Sequence, residues 1–122
     1  MRLQNNLYKI ESESADGYRV SLIADSIIYK AHFPGKPITP GVCIIQIASE
    51  LLGLLTGLTL SLIEVVNAKY LAVINPLETP EVTYTFSKFV RDDAARTLKV
   101  QVVVTSETTT CTKLSLLYSI NG

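Results

Sequence analysis

The residues with the most chemical potential lie together in the run His32-Phe33-Pro34-Gly35-Lys36-Pro37-Ile38-Thr39-Pro40-Gly41-Val42. It holds the only histidine of the chain, the side chain whose ordinary pKa lets it take and return a proton near neutral pH. A lone histidine is by itself more often a satisfied, partly buried side chain. Its surroundings shift that balance. Three prolines and two glycines restrict the loop. The loop also delivers its backbone to the start of an apolar helix, whose first N–H groups lack intrahelical partners and carry positive potential. A neutral imidazole beside such donors suits proton abstraction next to a carbonyl: the base takes the proton while the amides stabilise the developing enolate oxygen. Cys43, near the same helix start, could act as a nucleophile if its pKa were lowered, but its only base nearby in sequence is His32.

Several elements must position these residues. Strand-like runs over Leu7–Glu13 and Tyr18–Ala24 flank the turn signal Ser14-Ala15-Asp16-Gly17. A loop from Ile28 to Gly41 follows, punctuated by Pro34, Pro37 and Pro40, which no helix can cross. Val42–Leu55 is then the one convincing helix, with Pro40-Gly41 before it, where proline is tolerated. After Gly57 the period becomes two, predicting strands over Leu62–Val73, Glu81–Val90, Thr97–Ser106 and Thr110–Ile120. The helix is hydrophobic nearly all round and must be wrapped on most sides, which a single curved antiparallel sheet of about six strands can do. This is an α+β architecture, and residues 1–122 read as one domain without repeat or linker.

Composition excludes several classes of function. A chain of 122 residues, 48% of them hydrophobic, can bury about two-thirds of its unfolded surface without help from disulfides or metal. Cys43 and Cys111 are too few for a disulfide framework and lack metal-ligand spacing, so a reducing cytoplasm is the simpler setting. No metal and no cofactor are expected. Eleven basic residues balance eleven acidic ones, which removes the bulk attraction behind nucleic-acid binding. The N-terminus shows no apolar export signal. Val42–Leu60 is long enough to raise a transmembrane question, but Gln46, Ser49, Glu50, Thr56 and Thr59 argue against a span.

The run HFPGKPITPGV at 32–42 resembles the signature of the beta-hydroxyacyl-[acyl carrier protein] dehydratases, including the hydroxymyristoyl-specific branch, which have the hotdog fold. Asn67-Ala68-Lys69-Tyr70-Leu71 is similar to that family's Lys/Arg-Phe strand, and Pro76 falls near its later proline. The resemblance implies a homodimer, or a heterodimer with a paralogue, in which each site takes the histidine of one subunit and an acidic residue from the central helix of the other. It implies His32 as the base, the Gly41 backbone N–H as donor to the thioester carbonyl, and Phe33, Pro40 and Val42 around the substrate. The substrate would be an acyl thioester, on acyl carrier protein or coenzyme A, in fatty acid or related lipid biosynthesis. An acidic carrier would call for local basic residues despite the neutral total, and Lys36, Lys69 and Lys30 are candidates, with ordinary solvated lysines as the alternative.

The family's acid, fourteen residues after the histidine, falls here on Gln46. An amide can orient a hydroxyl but cannot give up a proton. Loss of a positioned general acid costs about 10²–10⁴ in rate. Glu50 lies one turn on, about 5.4 Å along the helix, where the family usually has Gln. It is either a displaced acid or a polar contact at the dimer seam. Cys43, Gln46, Ser49, Glu50, Gly53 and Gly57 trace a small-or-polar stripe that either packs closely or borders the acyl tunnel. Three functions stay open: a dehydratase with an altered acid step, a silent acyl-binding subunit completed by an active paralogue, and a thioesterase of the same fold.

Overall fold

The computed structural model describes residues 2–33 and 35–122; Met1 and the loop's Pro34 lie outside the described residues. In chain order the elements are β1 (Tyr8–Glu13), β2 (Gly17–Leu22), α1 (Ile27–Ala31), α2 (Gly41–Thr56), β3 (Thr59–Tyr70), β4 (Glu81–Asp92), β5 (Thr97–Thr105) and β6 (Thr110–Asn121). The six strands form one antiparallel sheet in the order β1-β2-β4-β5-β6-β3. This is the expected helix-and-curved-sheet architecture.

Alternation builds the inner face. Val82, Tyr84 and Phe86 of β4, Leu98, Val100, Val102 and Val104 of β5, and Leu114, Leu116 and Tyr118 of β6 are all buried, each two residues after the last. Against them α2 buries Cys43, Ile44, Ile47, Ala48, Leu51 and Leu52, the i, i+4, i+8 row of one helix face and its neighbours. Hydroxyls fix the helix on the sheet: the Tyr84 hydroxyl donates to the Ile44 carbonyl at 3.1 Å, and Ser49 and Tyr118 share a 2.7 Å hydrogen bond. Gly57 ends the helix in the left-handed conformation, φ 70°, with its N–H on the Gly53 carbonyl.

Three features depart from the sequence expectation. A short helix, α1, stands where the loop was expected to begin: it ends at Ala31, ahead of the prolines, and is started by Ser26, whose hydroxyl accepts the Ile28 N–H at 3.3 Å. The strand expected at Leu62–Val73 runs instead over Thr59–Tyr70, because only Leu58 separates it from the Gly57 cap, and it leaves the sheet where Leu71 and Ala72 both donate to the Cys111 carbonyl. The wrapping of α2 is also incomplete. Val42 is 76% exposed and Leu54 45%, and β3, at the sheet edge, keeps Leu62, Ile63, Val65 and Val66 exposed.

The buried tyrosines make the fold alkali-sensitive. Burial pushes the Tyr29 phenol up to about 12, against a weaker lowering by its Thr39 hydrogen bond, and the Tyr118 phenol up to about 12, against its Ser49 hydrogen bond. A folded-state pKa above the unfolded value of 10.0 means that the stabilisation is complete below pH 10 and is lost as pH rises towards 12. The urea midpoint should therefore fall steeply across that window, and less steeply in Tyr29→Phe and Tyr118→Phe. A midpoint that stays level from neutral pH to 12 would contradict the burial of these groups.

Candidate active site

The histidine loop is closed on itself. His32 ends α1, with its N–H on the Ile28 carbonyl at 3.0 Å, and its own carbonyl accepts the Ile38 N–H at 3.3 Å. Inside that closure the Lys36 N–H donates to the Phe33 carbonyl at 3.0 Å, and Gly35 takes φ 79°, the left-handed region that glycine enters at no steric cost. The His32 and Phe33 rings meet edge to face, with centroids 6.1 Å apart, and both side chains are exposed. After the loop, the Thr39 N–H bonds the Ile74 carbonyl at 2.9 Å and the buried Thr39 hydroxyl pairs with Tyr29 at 2.8 Å, so the segment entering α2 is anchored on both sides.

At the start of α2, Pro40 is the N-cap and contributes no side-chain bond. The Cys43 and Ile44 N–H groups both donate to the Pro40 carbonyl, while the Gly41 and Val42 N–H groups find no acceptor among the described residues. They are the open donors that a helix start offers to a developing negative oxygen. A Cβ on Gly41 would stand 2.8 Å from the Tyr70 hydroxyl oxygen and 2.9 Å from its ring carbon Cζ, so only glycine allows the phenol to lie where it does. Gly41 and Tyr70 share a cavity of ≈ 310 Å³ with Ile38, Thr39, Ile44 and Val73.

One turn into α2, Gln46 and Glu50 are bonded to each other: the Gln46 Nε2 donates to the Glu50 Oε2 at 2.9 Å. The Glu50 carboxylate also accepts the Leu3 N–H at 2.7 Å, the Gln4 N–H at 2.9 Å and the Tyr8 hydroxyl at 2.9 Å. A carboxylate offers about four lone-pair sites, and four donors occupy them. Tyr8 reports the same contact: burial, then the hydrogen bond and charge of Glu50, hold its phenol well above the ordinary range. Gln46, Ser49, Glu50 and Gly53 face an open groove of ≈ 870 Å³ between α2 and β3, with Arg2 at its border. The middle of the polar stripe, Gln46 to Gly53, is thus the floor of that groove; Gly57 lies beyond it as the helix cap, and Cys43 is buried, which raises its thiol above its ordinary value, against a nucleophilic role.

Within one chain the candidate residues fall into separate places. Gln46, Glu50 and Val42 lie along the groove, Gly41 in the smaller cavity, and Phe33 in a third recess with Pro37 and Leu77, while His32 borders none of the three. Lys36 and Lys69 are exposed, and Lys69 pairs directly across the sheet with the exposed Lys113. The sequence pattern gave no role to Tyr70 or Arg2; the only signal for Tyr70 was its position after Lys69, and nothing marked Arg2. Among the described residues no group of three or more His, Cys, Asp or Glu could hold a metal, and no helix is long and apolar enough to cross a membrane.

Residues 9–113 match the model of the ApeI-like family, the ApeI dehydratases. No curated protein sequence matches the chain. Among solved structures, a thioesterase from Haemophilus influenzae is similar at a TM-score of 0.68 and 16% identity, over 97% of this chain and 81% of that one. The dehydratase heterocomplex ApeI:P from Xenorhabdus doucetiae matches at 0.60 and 16% identity, over 95% of this chain and 99% of that one. A hypothetical thioesterase with coenzyme A from Streptococcus pneumoniae matches at 0.64 and 14% identity, over 94% and 86%. The fold is the hotdog fold, as the sequence led one to expect.

The carboxylate cluster has a measurable consequence. Glu50→Gln keeps the size of the side chain but replaces one acceptor oxygen with a donor, which opposes the N–H or O–H groups on that side. It should lower stability by about 2 kcal/mol and accelerate amide exchange at Leu3 and Gln4 selectively. Unchanged stability together with unchanged exchange at both amides would refute the role of Glu50 as the anchor of the N-terminal segment.

Proposed function

We propose that this chain, which belongs to the ApeI-like dehydratase family, dehydrates 3-hydroxyacyl thioesters to trans-2-enoyl thioesters with His32 as base. The observation that carries the proposal is a helix start whose Gly41 N–H has no acceptor among the described residues, reached in the chain directly after a closed loop that exposes the imidazole. His32 removes the proton next to the thioester carbonyl, the Gly41 N–H holds the oxygen that gains charge, and the bond from the beta carbon to its hydroxyl breaks. The hydroxyl leaves as water and needs a proton. Gln46 cannot supply it, so the donor is either the imidazolium just formed or a carboxyl group brought by another chain.

A specific observation favours the second donor, and with it a complex with an active paralogue. Glu50, the only carboxylate on α2, is occupied by its own chain's N-terminus and by Gln46. That also weighs against a thioesterase reading, which needs a carboxylate poised to activate water. The exposed apolar residues of the edge strand β3 support association with a second subunit, whether a copy or a paralogue. A heterocomplex is what the fold relative from Xenorhabdus doucetiae is. For the thioester's carrier we propose an acidic acyl carrier protein. Like charges directly opposite in a sheet are destabilising, so Lys69 against Lys113 suits a surface that meets an anionic partner, with Lys36 in the active-site loop.

The test is turnover of a 3-hydroxyacyl carrier-protein thioester, followed as enoyl product. Gln46→Glu alone puts a second carboxyl within hydrogen-bond distance of Glu50, so the matched variant is the double exchange Gln46→Glu/Glu50→Gln. Wild-type turnover that falls at least a hundredfold in His32→Ala supports a self-sufficient enzyme, in line with the usual worth of a general base of about 10²–10⁴. A silent wild type with an active double exchange supports the subunit that borrows its acid. Silence of both, with no binding of the thioester, would overturn the assignment.

A further inference from the structure

We infer that Tyr70 is a second donor to the carbonyl oxygen of the thioester, acting beside the Gly41 N–H; the inference rests on the dehydration proposed above. Three observations bring the phenol to that place. Its oxygen occupies the space over Gly41 that a Cβ would claim, 2.8 Å from that position, at the residue whose N–H opens the helix. The Tyr70 hydroxyl has no hydrogen-bond partner among the described residues, whereas those of Tyr8, Tyr29, Tyr84 and Tyr118 are bonded within the chain; Tyr18, the other tyrosine whose hydroxyl has none, is a buried side chain that lines none of the cavities described above. The side chain is 51% exposed at the rim of the cavity it shares with Gly41, so a substrate can reach its hydroxyl.

The placement is held by backbone. Tyr70 is the last residue of β3, paired with Thr112, and the chain turns away directly after it, with the Leu71 and Ala72 N–H groups on the Cys111 carbonyl. The α2 start is held from the other side by the Thr39–Ile74 hydrogen bond. Two anchored segments therefore meet at one point, and each presents an unbonded donor there. An oxygen that accepts from both gains charge as the proton next to its carbonyl is removed, and each donor strengthens as that charge grows. The tyrosine keeps its proton throughout: it lends a hydrogen bond and transfers nothing, so the supply of a proton to the departing hydroxyl is unchanged.

The experiment compares wild type, Tyr70→Phe and His32→Ala, each with a trans-2-enoyl pantetheine thioester carrying a carbon-13 label at its carbonyl. Its first readout is the carbonyl stretching band of the bound thioester, which a hydrogen-bond donor shifts to lower frequency and which does not require turnover. The band of the Tyr70→Phe complex should return towards that of the thioester in an aprotic solvent, while His32→Ala leaves the band in its wild-type position. In the dehydration assay Tyr70→Phe should reduce kcat on the order of 10²-fold, the usual worth of one such donor, with a smaller effect on KM. A wild type that binds and shifts the band, with neither it nor the double exchange turning over, would overturn the dehydratase reading and keep this one, provided that Tyr70→Phe reverses the shift. A Tyr70→Phe band identical to wild type overturns the role of Tyr70 whatever the turnover. Absence of thioester binding by the wild type overturns both.

Discussion

The structure depends on how α2 is covered. Sixteen residues of mostly apolar helix present more surface than one curved sheet can take, and the buried face is limited to Cys43, Ile44, Ile47, Ala48, Leu51 and Leu52. The rest of the circumference carries one carboxylate, Glu50, and that group draws the N-terminal segment across the open side. Two backbone N–H groups, a phenol and an amide converge on it. Hydrogen bonds to a charged acceptor are each worth about 1.5–3 kcal/mol, so a partly buried carboxylate with four donors is satisfied rather than reactive. The N-terminal segment is thereby part of the architecture around the groove, and Arg2 reaches its border because Leu3 and Gln4 are fixed.

What the segment does not cover is the face of α2 that looks towards β3. This strand ends the sheet, so one of its edges has no backbone partner among the described residues; its exposed Leu62 and Val65 line the groove floored by Gln46, Ser49 and Gly53, and Ile63 and Val66 are exposed too. An unpaired edge with apolar side chains is a liability in an isolated chain. It ceases to be one when a second subunit adds to it. Gly41 and Gln46 lie in separate recesses and His32 borders neither, a separation that the two-chain site proposed above would account for.

Much of this was legible in the sequence, and the exceptions have physical reasons. The alternation in Val82–Phe86 and Thr97–Thr105 reports burial directly, because β4 and β5 are interior strands with one face on the helix. Alternation says less about β3, where the edge position overrides it and nearly every residue is exposed. The short helix α1 was missed because proline dominates that stretch, although Ser26 is a good N-cap and the prolines begin only after Ala31. The loop around His32 was legible through its prolines and glycines. Its closure by the Ile38 N–H on the His32 carbonyl was not, since backbone bonds leave no side-chain trace. The approach of Tyr70 to Gly41 left no trace for a related reason: it depends on the absence of a side chain at Gly41, nearly thirty residues earlier.

The bond between Gln46 and Glu50 shows why the residue at 46 is not a local choice. A carboxyl group at 46 would sit within hydrogen-bond distance of the one at 50, and two carboxylates so placed cannot both ionise at low cost. With Gln at 46 the pair is instead an amide donating to an anion, which leaves that anion free to hold the N-terminal segment. The two positions are therefore coupled: the residue that anchors the N-terminus dictates what its neighbour one turn earlier can be. A chain that secures its N-terminus this way has an amide rather than a carboxyl group at 46, so in the dehydration proposed above the proton for the departing hydroxyl comes from elsewhere.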